Sequence, residues 1–279
     1  MNLTELNGKV VGCPQSAGIN SAGALCRLKE EGITPKELHI FYAHFKEHSP
    51  DSLRFVEELI KMAENHFPVV KSKITHNSVI QFFEEQKMIP HPIASPCSRM
   101  LKIVPLTEYN TENRIEIDLI GYVRTEQKRI DNQQKRAAND MFLSKMYPIA
   151  DVDDEWCFDI VKRNLGWYPA IYDLKWNDAG FILYVTANLQ RFSEEIQRKL
   201  IKKIGTNKRV FKHNNCLPCK NMNIDDLLAV EYFYPEHMKE ANALSGRLNA
   251  YWGRNADEYY TTFGKEDYEV KACEVCQFD

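Results

Sequence analysis

The chain has 279 residues, 36 basic and 39 acidic, for a formal charge of −3, with 44% apolar and 27% charged residues. These are ordinary values for a globular chain long enough to bury a full core, as one large domain or one domain with an appendage. They argue against a protein made chiefly to coat nucleic acid or anionic membrane. No apolar run is long enough to span a bilayer, and Met1–Val11 lacks the layout of a secretory signal, so the expectation is a cytoplasmic protein with no membrane partner. Eight cysteines in a reducing compartment are then read as thiols or metal ligands rather than as four disulfides.

Lys9–Cys13 (KVVGC) predicts a short strand, and Pro14–Asn20 a loop of small and polar residues. Ser21–Glu31 carries Ala24, Leu25 and Leu28 at helical spacing and stops at Gly32, a natural terminator. Leu38–Ala43 (LHIFYA) predicts a second strand, and Pro50–His66 a helix with Leu53, Val56, Leu59, Ile60 and Ala63 on one face. A third strand begins near Pro68–Val70, a helix spans Asn77–Gln86, and Arg114–Tyr122 (RIEIDLIGY) predicts a strand with Ile115, Ile117 and Leu119 as its apolar positions. Crossovers of this length imply an α/β fold, a doubly wound parallel sheet with helices on both faces.

The second half reads differently. Asp153–Leu165 predicts a helix opened by acidic residues, and Trp167–Asp173 an extended or turn segment. Phe181–Thr186 predicts a strand, Phe192–Ile204 a basic amphipathic helix, and Ile224–Arg254 mostly helix. The expected division is an α/β domain over residues 1–150 and a smaller, mainly helical region over 151–279, the pattern changing near 140–180.

Gln15-Ser16-Ala17-Gly18-Ile19-Asn20-Ser21 joins the first strand to the first helix. Small residues there let backbone N–H groups turn toward an anion, and the following helix adds its positive end. The segment has neither the Gly-Lys-Ser/Thr of a Walker A motif nor the G-x-G-x-x-G of a dinucleotide site. On position alone, anion binding and an ordinary Ser/Gly turn both remain open.

Ser16-Ala17-Gly18-Ile19-Asn20-Ser21 resembles the S-G-G-x-D-S signature of the PP-loop in the adenine-nucleotide α-hydrolase-like superfamily. Further segments resemble, in order, the phosphoadenosine phosphosulfate reductases and their phage and mobile-element relatives. Pro50-Asp51-Ser52-Leu53-Arg54-Phe55 stands for a helix start of the P-[ED]-T type, and Pro96-Cys97-Ser98 running through Leu101-Lys102-Ile103-Val104-Pro105 for Cys-Thr and L-K-I-x-P. Gly121-Tyr122-Val123-Arg124-Thr125-Glu126-Gln127-Lys128-Arg129 matches G-x-R-x-x-E-x-x-R, Tyr147-Pro148-Ile149-Ala150 matches Y-P-L-I, and Asn214-Asn215-Cys216-Leu217-Pro218-Cys219 matches N-N-C-x-x-C.

The resemblance implies an adenine nucleotide, ATP or phosphoadenosine phosphosulfate, along the C-terminal edge of the sheet, where open α/β sheets generally bind ligands. It places phosphates or sulfate on Ser16, Ala17, Gly18, Ile19, Asn20 and Ser21, with Gly121 in the same site and magnesium accompanying ATP. Arg124 and Arg129 are the candidates for the anionic end, since a guanidinium binds such oxygens bidentately, and Lys102 is a third. A solvated charged helix over Arg124–Arg136 is the competing reading.

Two positions depart from the family pattern. Asn20 stands where the loop usually has an acid, and His44-Phe45 where an Asp-Thr pair follows the second strand. His44 at a strand end suits either nucleotide contact or a structural role. The E-C-G-[LI]-H segment of true reductases has no counterpart before Asp279. The leading expectation is therefore activation of an acceptor by adenylation, in sulfur transfer or nucleic-acid modification, with a sulfur donor as a possible partner. One alternative is a genuine phosphoadenosine phosphosulfate or adenylyl sulfate reductase served by a thioredoxin-like reductant. The other is a non-catalytic nucleotide- or nucleic-acid-binding protein.

Cys216-x-x-Cys219 and Cys273-x-x-Cys276 together supply four thiolates, a set that suits tetrahedral zinc or a [4Fe–4S] cluster, with zinc the expectation and a redox pair the competitor. Cys13, Cys26 and Cys157 read as core residues, and Cys97 as structural or substrate-positioning. Arg191–Lys212 concentrates Arg191, Arg198, Lys199, Lys202, Lys203, Lys208, Arg209 and Lys212 against Glu194 and Glu195. That run suits nucleic-acid phosphates, although Phe192, Ile196, Leu200, Ile201 and Ile204 equally make it an ordinary amphipathic helix.

Overall fold

In chain order the computed structural model has β1 (Val10–Gly12), α1 (Ile19–Glu30), β2 (Glu37–Phe45), α2 (Ser52–Glu64), β3 (Val70–Asn77), α3 (Val79–Glu85), α4 (Pro96–Ser98) and α5 (Val104–Glu112). There follow β4 (Ile117–Leu119), α6 (Gln127–Ala137), β5 (Ser144–Met146), α7 (Asp154–Leu165), α8 (Ala179–Asn188), α9 (Glu194–Ile201), α10 (Ile224–Phe233) and α11 (Pro235–Leu248). The structure describes residues 2–89, 95–137, 143–248 and 250. These form two units: Met1–His44, Pro50–Asn77 and Leu101–Pro169 in the first, and Phe45–Ser49, Ser78–Met100 and Ala170–Asp279 in the second. The units interleave along the chain, so no single division separates them.

The first unit holds a five-stranded sheet of order β3-β2-β1-β4-β5, in which β1 pairs parallel with β2 and β4, and β4 pairs parallel with β5. Parallel strands need crossovers, and right-handed ones set α1 and α2 on one face and α5 and α6 on the other. Each helix forms for a local reason. In α2, Phe55, Val56, Leu59, Ile60 and Ala63 are buried at helical spacing. In α7, the Asp153 carboxylate accepts from the Trp156 N–H at 3.0 Å, and Gly166 ends the helix at φ 82°. α1 and α7 approach closely because Gly23 has no side chain: a Cβ there would lie 3.1 Å from the Cys157 Sγ.

The strand expected over Arg114–Tyr122 is shorter, Ile117–Leu119. Its first residues instead close the turn after α5, the Ile115 N–H donating to the Asn110 carbonyl at 3.0 Å. In the second unit, the strand expected over Phe181–Thr186 is a helix, α8. A short apolar run does not by itself distinguish a strand from a buried helix, and here Asp178 decides by accepting from the Phe181 N–H at 2.8 Å. Phe181 is then packed among Trp176, Tyr232 and Phe233 at centroid distances of 5.1, 5.4 and 4.9 Å. None of the helices in the described residues is long and apolar enough to cross a membrane.

Candidate nucleotide-binding site

Strand order reverses between β1 and β4, and it is at such a reversal that an open α/β sheet leaves a crevice at its C-terminal edge. The segment that leaves β1 at this point keeps pairing with β2 as far as Gln15, whose N–H donates to the Phe41 carbonyl at 2.8 Å. It then turns at Ser16. The Ser16 and Ser21 hydroxyl oxygens lie 3.0 Å apart, and the Ser16 N–H donates to the Ser21 Oγ at 3.2 Å. The Gly18 N–H donates to the Ser16 Oγ at 3.2 Å, and the Ser21 hydroxyl donates to the Gly18 carbonyl at 3.1 Å. Ala17 takes the left-handed conformation, φ 56°, with its methyl buried. Gly18 precedes α1 without any side-chain cap, so the positive end of a 12-residue helix opens at the loop.

Gly121 closes the other side. A Cβ at that position would meet the Ser21 nitrogen at 2.9 Å and the Asn20 carbonyl carbon and oxygen at 3.0 Å. The structure thus brings together Ser16, Ala17, Gly18, Ile19, Asn20, Ser21 and Gly121 in contact. The Asn20 Oδ1 is buried and has no partner among the described residues.

The remaining candidates lie on flanking elements. His44 stands at the end of β2, its Nδ1 3.2 Å from the Tyr42 hydroxyl and its carbonyl accepting from Asn77 Nδ2 at 3.4 Å. Its ring meets that of His76 edge-on at 5.5 Å. Lys102 is half-buried in the π-helical turn Arg99–Ile103 that leads into α5. Arg124 is exposed, with its guanidinium 3.7 Å from Asp153. Arg129 pairs with Glu126 and lies over the Tyr122 ring at 4.5 Å. Both arginines therefore hold carboxylates in this structure.

Periodicity does not single out Asp118 or Gln15, and the fold makes both conspicuous. Asp118 is 4% exposed, with Oδ1 unpartnered, and burial pushes its carboxyl up to about 7. Gln15 is buried: its Nε2 donates to the Ser21 carbonyl at 3.3 Å, while its Oε1 has no partner among the described residues. The one signal in the sequence is an acid inside an otherwise apolar strand.

Burial pushes Cys13, Cys26 and Cys157 up to about 12, which keeps them neutral packing thiols. In the second unit Cys216 is buried and Cys219 half-buried, and the Leu217 N–H donates to the Glu47 carbonyl at 2.7 Å. Cys273 and Cys276 lie outside the described residues. Among the described residues, no group of three or more His, Cys, Asp or Glu forms a metal cluster. In the basic run, Arg191 is directed inward to Glu231 at 3.4 Å, and Lys203 pairs with Asp225. Lys199 and Arg198 pair with Glu195 and Glu194 one turn away, at 2.6 and 3.5 Å.

The chain is similar to the phosphate complex of phosphoadenylyl-sulfate (PAPS) reductase from Candida auris, at 12% identity and a TM-score of 0.40, covering 62% of this chain and 84% of that one. It is similar to the NMN synthetase from Francisella tularensis, at 13% identity and a TM-score of 0.40, covering 85% and 88%. The U34-tRNA thiolase NcsA from Methanococcus maripaludis, with its [4Fe–4S] cluster, is similar at 12% identity and a TM-score of 0.39, covering 98% and 81%. No family model and no curated protein matches the chain.

Proposed function

We propose that the chain binds an adenine nucleotide by its phosphates at Ser16–Ser21 and uses it to activate an acceptor in sulfur transfer or nucleic-acid modification. The observation that carries this reading is the loop: facing serine hydroxyls, a left-handed Ala17 and the uncapped start of α1, set where the strand order reverses. These groups are hydrogen-bond donors on a positive helix end, the complement of a phosphate. In the proposed reaction an acceptor oxygen attacks the α-phosphorus of ATP, pyrophosphate departs, and a sulfur or nitrogen donor then displaces AMP. The loop holds the phosphate oxygens and meets the charge that gathers on the leaving pyrophosphate. Arg124 and Arg129 assist by exchanging Asp153 and Glu126 for phosphate oxygens, with Lys102 as a third cation for the same anion.

Asn20 offers a buried acceptor, which fits a magnesium ion or its water rather than a phosphate oxygen. Cys216 and Cys219 supply two thiols at a spacing that fits one metal, and Cys273 and Cys276 would complete a four-sulfur set for zinc or a [4Fe–4S] cluster. Bound there, the metal would cross-link the two cysteine pairs. An acceptor nucleic acid would meet the exposed Lys202, Lys208 and Lys212, since Arg191 and Lys203 are engaged within the unit.

The test is calorimetric binding of Mg·ATP, together with pyrophosphate release in the presence of nucleic-acid and sulfur donors. Replacing both serines (Ser16→Ala/Ser21→Ala) is expected to weaken binding by roughly tenfold or more, two lost hydrogen bonds to a charged ligand. Unchanged affinity would remove the loop from the site.

A further inference from the structure

Asp118 is a buried acid that the proposed reaction does not use, and its position relative to the loop is specific. It stands in β4 in register with Gly12 of β1 and Lys145 of β5. Its Oδ1 lies 2.7 Å from the point where a Cβ on Gly12 would be, so the carboxyl occupies the space of the missing side chain. Gly12 is the last residue of β1, and the loop begins four residues later at Ser16. Three residues beyond Asp118, the same chain segment packs Gly121 against Asn20 and Ser21. The β4 segment therefore touches the strand that leads into the loop and the helix start that ends it.

The groups around Asp118 leave it poorly compensated. From α5, Asn110 donates to the carboxyl, and Oδ1 remains without a partner. Tyr109, the next residue on α5, directs its hydroxyl 3.1 Å from His39 Nδ1. His39, the β2 register partner of Gly12, has its Nε2 3.1 Å from Glu37, and burial holds its ring below the usual histidine value. From β1, Cys13 is a neutral thiol. From β5, Lys145 is the cation that acts on Asp118, and its pull is outweighed by burial. An ionised carboxylate here would be a nearly uncompensated negative charge against the strand that leads into the loop.

We propose that Asp118 makes anion binding at the loop proton-linked: the loop takes phosphate while Asp118 is neutral and loses affinity as Asp118 ionises. The proposal rests on the phosphate reading of Ser16–Ser21 and adds its regulation. Burial pushes the Asp118 carboxyl up to about 7, which places the transition in the physiological range. Linkage is reciprocal, so a bound nucleotide also holds the proton on Asp118, and binding near neutral pH takes up protons.

The experiment measures Mg·ATP affinity from pH 6 to pH 8.5 for the full chain and for Asp118→Asn, with calorimetry in buffers of different ionisation enthalpy to count protons. The expected result is a roughly tenfold loss of affinity for the parent across this range and less than twofold for the variant. Proton uptake is expected to be greater for the parent than for Asp118→Asn near pH 7. Parallel affinity profiles with equal proton uptake overturn the linkage and leave the phosphate site standing. Absence of Mg·ATP and pyrophosphate binding at every pH overturns both. Melting temperatures over the same range need no nucleotide: a parent that melts lower as pH rises through 7, beside a flat Asp118→Asn, is expected. A flat parent overturns the buried ionisation whether or not the variant folds.

Discussion

Ala17 holds φ 56° with its methyl buried, a conformation that costs an L-residue about 1 kcal/mol and that glycine adopts freely. Strain of this kind persists where the surrounding structure over-determines it. Ala17→Gly is therefore expected to leave stability unchanged or raise it by up to about 1 kcal/mol in chemical denaturation. A loss of more than that would show that packing of the methyl, rather than loop conformation, keeps alanine here. Asp118 acts at the same scale through its proton. Its carboxyl stands at about 7 in the fold against 3.8 when unperturbed, so the folded chain keeps a proton that the unfolded chain releases. Stability accordingly falls as pH rises from about 4 through about 7 and then levels off. Asp118→Asn is expected to be more stable than the parent at pH 8, by an amount on the order of 4 kcal/mol, and close to it at pH 4. Equal stabilities at pH 8 would show that the buried carboxylate finds compensation.

At the scale of the element, two glycines make opposite predictions. Gly121→Ala drives a methyl into the backbone at Ser21 and Asn20, which has no rotamer with which to yield. Destabilisation of about 1–3 kcal/mol and weaker Mg·ATP binding are expected. Gly246, within α11, has nothing within 4 Å of a new Cβ, and Gly246→Ala is expected to stabilise by about 0.5–1 kcal/mol. Similar effects at both positions in thermal denaturation would contradict the close approach of Gly121. Asp153 has two roles, capping α7 and facing Arg124. Asp153→Asn keeps a capping side chain while freeing the guanidinium, so it should raise Mg·ATP affinity with little loss of stability, whereas Asp153→Ala costs about 1 kcal/mol. Most elements were legible because their signals are local: the buried stripe of α2, the cap of α7, the glycine after it. Phe181–Thr186 predicts a strand because five apolar residues followed by Thr186 satisfy both periods, and only Asp178 and the aromatic neighbours of Phe181 make the run a helix.

On the scale of the whole molecule, the four-cysteine reading is a statement about stability. Purified chain is expected to carry zinc or iron in stoichiometric amount and to melt at a lower temperature after chelation, with Cys216→Ser losing the metal. Metal-free protein with an unchanged melting point would reduce Cys216 and Cys219 to packing or redox thiols. The turn over Ser16–Ser21 could be read from the sequence, because it is a contiguous run of mostly small residues between a strand and a helix. So could the parallel α/β class, because crossover length is a one-dimensional quantity. Only the tertiary structure decided that residues 45–49, 78–89 and 95–100 pack with the described part of the C-terminal half, since the contact of Glu47 with Leu217 joins positions far apart in the chain. It alone decided the fate of Asp118. Alternation puts that acid on the face opposite Ile117 and Leu119, and whether such a face meets water or a neighbour depends on which strand lies alongside. Here the neighbour is Gly12, with α5 above it, and burial turns an ordinary carboxylate into an acid that holds its proton near neutrality.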